Sequence, residues 1–312
     1  MKHLLLATIA AVVLVGCAIT PVLHKDSFHI KTPDSNKPDL EVLADTETFL
    51  ITSKITGRTY QIFIALPHGY EKIEEPFPVI YGVDANGQFG TLVEASRLLP
   101  FEGYPKTIVI SVGYPVGHFW DALPPRAIDL TPTFNQKLID KLASDFPEEP
   151  AMEGSGGASG FLRFLEEELF TFIEFKYKAS PENRTLYGHS FGGLFGTYAL
   201  FKGNQAFTRF IIGSPSYWWD EKVSFQFEEE YAKANQNLNA KVFFSTGMLE
   251  EKPGDEVMAP FNMVSNLRAF LSALKKRGYK GLSYKSVFFP QENHLSVIPP
   301  TISRGLRFVF DQ

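Results

Sequence analysis

A serine with a glycine two residues away on either side has the clearest chemical meaning in this sequence. Tyr187 to Gly193 read Tyr-Gly-His-Ser-Phe-Gly-Gly, between a short apolar run and a helical pattern. In a nucleophile elbow, a tight strand-to-helix turn exposes the serine hydroxyl, and glycines are needed where a Cβ would meet neighbouring backbone. The motif predicts Ser190 as a nucleophile, with the Phe191 amide directed at the oxyanion. A glycine-rich turn with an idle serine is the structural alternative.

A serine hydroxyl becomes nucleophilic when a base removes its proton, so one of the seven histidines should serve as that base. His294 lies in a polar loop between the last predicted strand and the final predicted helix, where the base occurs in the chain order Ser, acid, His. His189 precedes the serine on the strand, and the alternation of side chains directs its ring away from the hydroxyl. His118 stays a second candidate. We predict His294 as the general base, against a surface loop histidine as the alternative.

The carboxylate that orients this base is expected after the predicted strand over 241–245, because that loop lies beside the histidine loop. Glu250, three residues beyond Gly247, is the first choice. For each other carboxylate of the loop a surface position is the default interpretation, and a Ser-His dyad without an acid is also open. The remaining candidates are Glu251, Asp255 and Glu256.

A second oxyanion donor is expected from the loop after the strand over 78–83, which reads Asp84-Ala85-Asn86-Gly87. The backbone amides of Ala85 and Asn86 are the candidates, and Asn86 is the first choice. A plain Asn-Gly turn is the structural alternative.

Motifs for metal or cofactor binding do not appear. The glycines at 154, 156, 157 and 160 follow no strand, and Ser159 stands where a dinucleotide fingerprint needs its third glycine. No P-loop, His-Glu-x-x-His or paired-cysteine motif occurs. The sequence therefore predicts neither a cofactor nor a metal.

The elements that position these residues begin at Thr46. Two alternating apolar segments, 49–55 and 59–66, flank Thr56-Gly57-Arg58 and predict an antiparallel hairpin. Amphipathic stretches at 160–177 and 260–276 and a final helix through 302–310 alternate with buried runs, which predicts a mainly parallel α/β sheet with helices on both faces. Residues 115–160 show no clear strand and are expected as an insertion over the active edge. The buried strand candidates are 78–83, 107–112, 184–187, 210–212, 241–245 and 283–289.

The bulk composition limits the class of partner. The chain has 312 residues, of which 44% are hydrophobic, and its formal net charge is -5. A globular catalytic domain over 46–312 fits this composition. Nucleic acid is not expected as a partner because there is no cluster of Lys and Arg.

The first residues resemble an export signal: Lys2 precedes an apolar stretch too short to span a bilayer, which takes roughly 20 residues. The run Leu14-Val15-Gly16-Cys17 resembles a bacterial lipobox, so we predict a signal peptide over 1–16, lipid on Cys17 and a proline-broken tether over 17–45. This implies a membrane-anchored protein of the cell envelope, on the outer membrane facing the periplasm in a Gram-negative host. An ordinary cleaved signal would give a periplasmic or secreted protein. Cys17 is the only cysteine, so no intramolecular disulfide can form.

Together these residues resemble the esterase family that includes esterase D, enterochelin esterases and the mycolyltransferases, within the α/β-hydrolase fold. The siderophore esterase branch is the most similar. Besides the serine motif, the resemblance rests on three segments: Arg126-Ala127-Ile128-Asp129-Leu130-Thr131-Pro132, Gly213-Ser214-Pro215-Ser216-Tyr217-Trp218-Trp219 and Gly247-Met248-Leu249-Glu250-Glu251.

The resemblance implies hydrolysis of a small carboxylic ester, of the siderophore type or of another type, through an acyl-enzyme on Ser190. It also implies that Arg126 and Trp218 border the substrate pocket. An ion pair between Arg126 and Asp129, and a buried indole, are the structural alternatives for these two residues. An acyltransferase of the same fold and a non-catalytic binding lipoprotein are the alternative functions, and the oligomeric state is open.

Overall fold

An eight-stranded sheet forms the frame of the molecule. The computed structural model describes residues 43–203 and 205–311. The predicted signal segment, Cys17 and the tether up to residue 42 therefore lie outside the described residues. The strands are β1 (Thr46–Thr52), β2 (Thr59–Ala65), β3 (Phe77–Val83), β4 (Ile108–Gly113), β5 (Ala179–His189), β6 (Arg209–Gly213), β7 (Asn237–Gly247) and β8 (Lys280–Phe289).

The spatial order of the strands is β1-β2-β4-β3-β5-β6-β7-β8. β1 and β2 form the predicted antiparallel hairpin, closed by the pair Thr52 and Thr59, and β2 runs antiparallel to β4. Every pairing from β4 across to β8 is parallel. The predicted fold class, a mainly parallel sheet with an antiparallel N-terminal hairpin, is confirmed.

Helices cover both faces of the sheet. The stretch predicted over 160–177 is one continuous helical run, α-helical at both ends and π-helical over 164–169. The segment 115–160 contains two helices that the sequence analysis did not predict, while it lacks strands as expected. The helices are α1 (Ala85–Leu98), α2 (Leu123–Leu130), α3 (Gln136–Asp145), α4 (Ala158–Arg163), α5 (Phe170–Lys176), α6 (Phe191–Lys202), α7 (Trp219–Ala234), α8 (Met263–Arg277) and α9 (Ile298–Phe310).

The core consists of two layers, one on each face of the sheet. Successive side chains of a strand point to opposite faces. Ile80, Tyr187 and Ile211 therefore pack beneath α1 and α9, in a layer that includes Leu92 and Leu306. Their strand neighbours face the other way, into a larger layer rich in aromatic rings. Burial on both faces explains why these strands read as continuous apolar runs.

The carboxyl ends of β3, β5, β6 and β7 lie side by side at one edge of the sheet, because these four strands are parallel neighbours. Asp84, Ser190, Ser214 and Met248 are the residues that follow these four ends. In open parallel sheets this edge is where ligands bind.

No helix within residues 43–203 and 205–311 combines the length and the apolar character required to span a bilayer.

Candidate active site

The chain turns sharply between β5 and α6, and Ser190 occupies the turn. Its backbone has φ 61 and ψ -118, a conformation that L-residues rarely adopt. The Ser190 amide donates to the Gly213 carbonyl at 3.0 Å, and the Ser190 carbonyl accepts from the Leu194 amide at 2.9 Å. These bonds fix the serine between two strand ends and the first turn of a helix, as the motif predicts.

The glycines of the motif are required by space. A Cβ on Gly188 would lie 2.1 Å from the Gly192 carbonyl oxygen, and a Cβ on Gly192 would lie 2.7 Å from a Val83 methyl group. A Cβ on Gly193 would lie 2.7 Å from the Gly213 oxygen. Because two of these obstacles are backbone atoms, no side-chain rotation could relieve the contacts. Only glycine permits this approach of helix to sheet.

An imidazole and a carboxylate meet at the same edge. His294 Nδ1 lies 2.6 Å from Glu250 Oε2, and the His294 side chain keeps 24% of its surface exposed while that of Glu250 is fully buried. Glu250 Oε1 accepts three further hydrogen bonds, from Ser214 Oγ at 2.6 Å, Thr246 Oγ1 at 3.0 Å and the Gly247 amide at 2.7 Å. The carboxylate therefore has four hydrogen-bond partners, three on Oε1 and His294 on Oε2.

The Glu250 carboxyl experiences two opposing effects. Burial by itself raises its pKa, but the hydrogen bond and charge of His294, together with the Ser214 hydroxyl, hold the pKa of Glu250 below its ordinary value. Glu250 is thus ionised at neutral pH and accepts a proton-bearing Nδ1. That tautomer leaves Nε2 of His294 as a free acceptor.

The structure separates the four candidate acids. Glu251 accepts from the amide and hydroxyl of Ser265 at the start of α8, and Asp255 accepts from the amides at 257 and 258. Glu256 is exposed. Only Glu250, the first choice from sequence, contacts His294. His118, the second histidine candidate, is exposed.

Two helices begin at this edge, on neighbouring strands. Gly82 of β3 pairs with Tyr187 of β5, so α1 and α6 start next to each other. Phe191 is the first residue of α6, and Asn86 is the second residue of α1. The first amides of a helix have no intrahelical acceptor. The segment after β3 was predicted as a loop, and the structure corrects this, because Ala85 and Asn86 form the first turn of α1. Their backbone amides remain available to donate to a ligand.

The Asn86 side chain is engaged in the fold. Its Nδ2 donates to the Tyr114 carbonyl at 2.9 Å, and its Oδ1 accepts from the Tyr114 amide at 2.9 Å. This two-point bond ties the start of α1 to the chain after β4. Any role of Asn86 at the site thus belongs to its backbone amide.

The chain matches known proteins over most of its length. The family model described as "Putative esterase" matches residues 53–287. The chain is 32% identical to ferri-bacillibactin esterase BesA of Bacillus subtilis, over 84% of this chain and 89% of that protein. It is 29% identical to a siderophore triacetylfusarinine C esterase of Aspergillus fumigatus, over 88% of this chain and 97% of that protein.

The chain belongs to this esterase family.

A solved structure agrees with this assignment. Siderophore hydrolase EstA from Aspergillus nidulans superimposes with a TM-score of 0.75 at 27% identity, covering 90% of this chain and 99% of that one. The α/β-hydrolase fold and the activity class, carboxylic-ester hydrolysis, thus agree with the sequence analysis.

Arg126 is placed differently in this esterase from what the sequence analysis expected. Its ion-pair partner is Asp84, through Nε to Oδ1 and through Nη2 to Oδ2 at 3.0 Å, and not Asp129. Asp129 instead pairs with Arg58 at 2.5 Å. Arg126 Nη2 also donates to the His189 carbonyl at 3.1 Å, and its side chain is 7% exposed. Arg126 is therefore a buried cation bonded to Asp84 and to the residue before the nucleophile, and its place at the border of the substrate pocket stays a prediction.

Trp218 lies beside the elbow. Its ring is 6.0 Å from that of Phe191 and 4.6 Å from that of Phe261, centroid to centroid. The indole is half-buried. The alternative of a fully buried indole applies instead to its neighbour Trp219, which is 0% exposed and donates from Nε1 to Thr133 Oγ1 at 3.0 Å.

His189 and Ser214 have roles that the sequence analysis did not assign. The His189 ring packs against the His294 ring at 4.7 Å, and neither of its nitrogens has a hydrogen-bond partner among the described residues. Burial lowers the pKa of His189 to about 3, so this ring stays neutral beside the general-base candidate. Ser214 donates to Glu250. Its sequence signals were its place near the end of a predicted strand and within the Gly213–Trp219 segment of the family resemblance.

Within the part of the chain that the structure describes, no group of three His, Cys, Asp or Glu side chains is arranged to hold a metal ion. The absence of a metal and of a cofactor remains a prediction from sequence.

Proposed function

We propose that the protein hydrolyses its ester through an acyl-enzyme on Ser190, with His294 as general base and Glu250 as the acid that orients it. The observation that carries the proposal is the carboxylate–imidazole pair at 2.6 Å, at the same sheet edge as the strained serine. A fixed acid, base and nucleophile of this kind define serine hydrolases.

Each step has a residue of this chain to perform it. Ser190 Oγ forms a bond to the ester carbonyl carbon while its proton moves to His294 Nε2. The carbonyl oxygen becomes an oxyanion that accepts hydrogen bonds from the backbone amides of Phe191 and Asn86. The intermediate then expels the alcohol, which takes the proton from His294. A water molecule, deprotonated by the same nitrogen, then attacks the acyl carbon. The bond to Ser190 Oγ breaks, the acid leaves, and Oγ takes the proton back from His294.

A labelling experiment tests the nucleophile. A fluorophosphonate probe should label the wild type and release of p-nitrophenol from short acyl esters should be readily measured, whereas Ser190→Ala should lose both. Ser303→Ala, at an exposed serine on α9, is the matched control and should keep both. Labelling that persists in Ser190→Ala would overturn the assignment.

The substrate proposed from the relatives is a siderophore-type ester. Two curated relatives are described as esterases of ferri-bacillibactin and of triacetylfusarinine C, and each aligns with more than four fifths of this chain. Mass spectrometry should detect opening of a trilactone siderophore by the wild type and not by Ser190→Ala. A trilactone left intact under conditions where p-nitrophenyl esters are cut would contradict this substrate and leave the esterase assignment standing.

The proposal includes attachment to a membrane through lipid on Cys17. Its support is the lipobox-like run ending at Cys17. In the native bacterial host, the wild type should partition into detergent and Cys17→Ser into the aqueous phase. Aqueous partition of both proteins would favour a periplasmic or secreted enzyme.

A further inference from the structure

Four aromatic rings lead away from the elbow, and we refer to Phe191, Trp218, Phe261 and Phe146 as the aromatic column. Phe191 follows the nucleophile and contacts Trp218 at 6.0 Å; Trp218 contacts Phe261 at 4.6 Å. Phe261 is stacked on Phe146 at 6.3 Å with 13° between the ring planes. The column thus joins the serine turn to the end of α3, in the segment that lies over the sheet edge.

Glu149 follows Phe146 in a tight turn, in which the Glu149 amide donates to the Phe146 carbonyl at 3.1 Å. Its side chain is half-buried. Burial raises its pKa, and the charge of Arg126 acts in the opposite direction. The turn therefore places Glu149 beside Phe146, at the far end of the column.

No described residue forms a hydrogen bond or an ion pair with the Glu149 carboxylate. The side chains of Arg126 and His294 are already engaged with other partners. Arg126 has a two-point bond with Asp84, and His294 is bonded to Glu250. A partly desolvated carboxylate without a partner costs free energy that a positively charged ligand could recover.

We propose that Glu149 and the aromatic column form a subsite for a positively charged group of the ester substrate, such as a protonated amine or a quaternary ammonium. Ring faces attract a cation within about 6 Å, and a carboxylate supplies the opposite charge. The inference rests on the proposed esterase activity and names a charge preference of that same site.

Pairs of esters that differ only in charge test the proposal. One pair is p-nitrophenyl 4-(trimethylammonio)butanoate and p-nitrophenyl 5,5-dimethylhexanoate, in which a carbon atom replaces the charged nitrogen. The second pair is acetylcholine and 3,3-dimethylbutyl acetate, which carries the same change in the alcohol. The measurement is the ratio of kcat/KM for the cationic ester to that for its neutral isostere, in wild type, Glu149→Gln and Glu148→Gln.

We expect the wild-type ratio to be about tenfold in favour of the cation in at least one pair, the size of a good cation–aromatic contact. Glu149→Gln should bring that ratio close to one. Glu148→Gln is the matched control, because Glu148 is the neighbouring residue, has the same charge and is exposed. It should keep the wild-type ratio. Raising the salt concentration to about 1 M should also reduce the wild-type ratio, independently of any variant.

Two outcomes would overturn the subsite. One is a wild-type ratio of one or less in both pairs. The other is a ratio unchanged by Glu149→Gln, and if both esters fell equally in that variant, Glu149 would be part of the chemistry. Failure of the esterase proposal would give a different result: the wild type would not hydrolyse the neutral esters, or Ser190→Ala would still hydrolyse them.

Discussion

Glu250 and Glu149 are two carboxylates, one at the sheet edge and one in the segment over that edge, and their surroundings are opposite in kind. Glu250, at the sheet edge, is 1% exposed and has four donors within 3.0 Å. Glu149, in the segment over that edge, is half-buried and has no bonded partner among the described residues. A carboxylate that already accepts from four donors can orient those donors, whereas a carboxylate without a bonded partner can bind a ligand. Under our two proposals, the chemistry takes place at the sheet edge and the selectivity comes from the 115–160 segment.

The largest expected effect is the loss of kcat when the charge of Glu250 is removed. Glu250→Gln should lower kcat by about 10³- to 10⁴-fold, because an amide no longer fixes the His294 tautomer or stabilises its cation. Glu251→Gln changes the adjacent carboxylate, which bonds Ser265 instead, and should leave kcat close to the wild-type value. Initial rates on a p-nitrophenyl ester measure both. Similar rates for wild type and Glu250→Gln would indicate a Ser-His dyad.

The next effect concerns the ion pair behind the nucleophile. Arg126→Met leaves the Asp84 charge buried without its partner, which should lower the free energy of unfolding by about 3–5 kcal/mol. Asp84 has φ 68, a left-handed conformation that Asn tolerates. Asp84→Asn in the Arg126→Met background should therefore restore much of the stability. Urea denaturation measures all three proteins, and an Arg126→Met variant as stable as wild type would contradict this interpretation.

A smaller effect is expected in how the free energy of unfolding depends on pH. Because the pKa of Glu250 is lower in the folded protein than in the unfolded chain, the unfolded chain binds the proton more readily. The resulting stability is present above the ordinary carboxyl pKa and disappears as the pH falls through the lowered value. The difference in free energy of unfolding between wild type and Glu250→Gln should thus narrow as the pH is lowered below about 4.5. If this difference in free energy of unfolding stays constant between neutral and acidic pH, the lowered pKa of Glu250 is contradicted.

The smallest effect is expected in the segment over the edge. Asn135 caps α3 by accepting from the Leu138 amide at 3.1 Å, and it donates to Asp220 at 2.6 Å. Asn135→Ala should lower the free energy of unfolding by about 1 kcal/mol. Its kcat on a short acyl ester should stay near the wild-type value, because α3 bears none of the reacting groups. A tenfold fall in kcat without unfolding would show that this segment takes part in the chemistry.

Local sequence signals predicted much of the fold. The β1–β2 hairpin follows from alternating side chains around Thr56-Gly57-Arg58, and its observed strands begin and end within a few residues of the predicted ones. β5 runs from 179 to 189, whereas only its apolar part over 184–187 was predicted, because its first half is polar and exposed. The helices α2 and α3 were missed because prolines and glycines around them indicated loops.

Charge pairing was the least predictable feature. Arg126 and Asp129 are three residues apart, a spacing at which charged side chains of a helix can meet. Their observed partners, Asp84 and Arg58, lie far away in the sequence. A buried charge takes the partner that the packed elements bring within reach, and spacing along one helix does not reveal that partner.

The sequence by itself determined the strand–turn–helix around Ser190, because the close contact between Gly188 and the Gly192 carbonyl lies within the motif. It also determined the order Ser, Glu, His along the chain. Only the tertiary structure decided that Glu250 rather than Glu251 meets His294, that His189 packs against that ring, and that Glu149 has no bonded partner among the described residues. These are distances between segments remote along the chain, and they are set by how strands pair and helices pack.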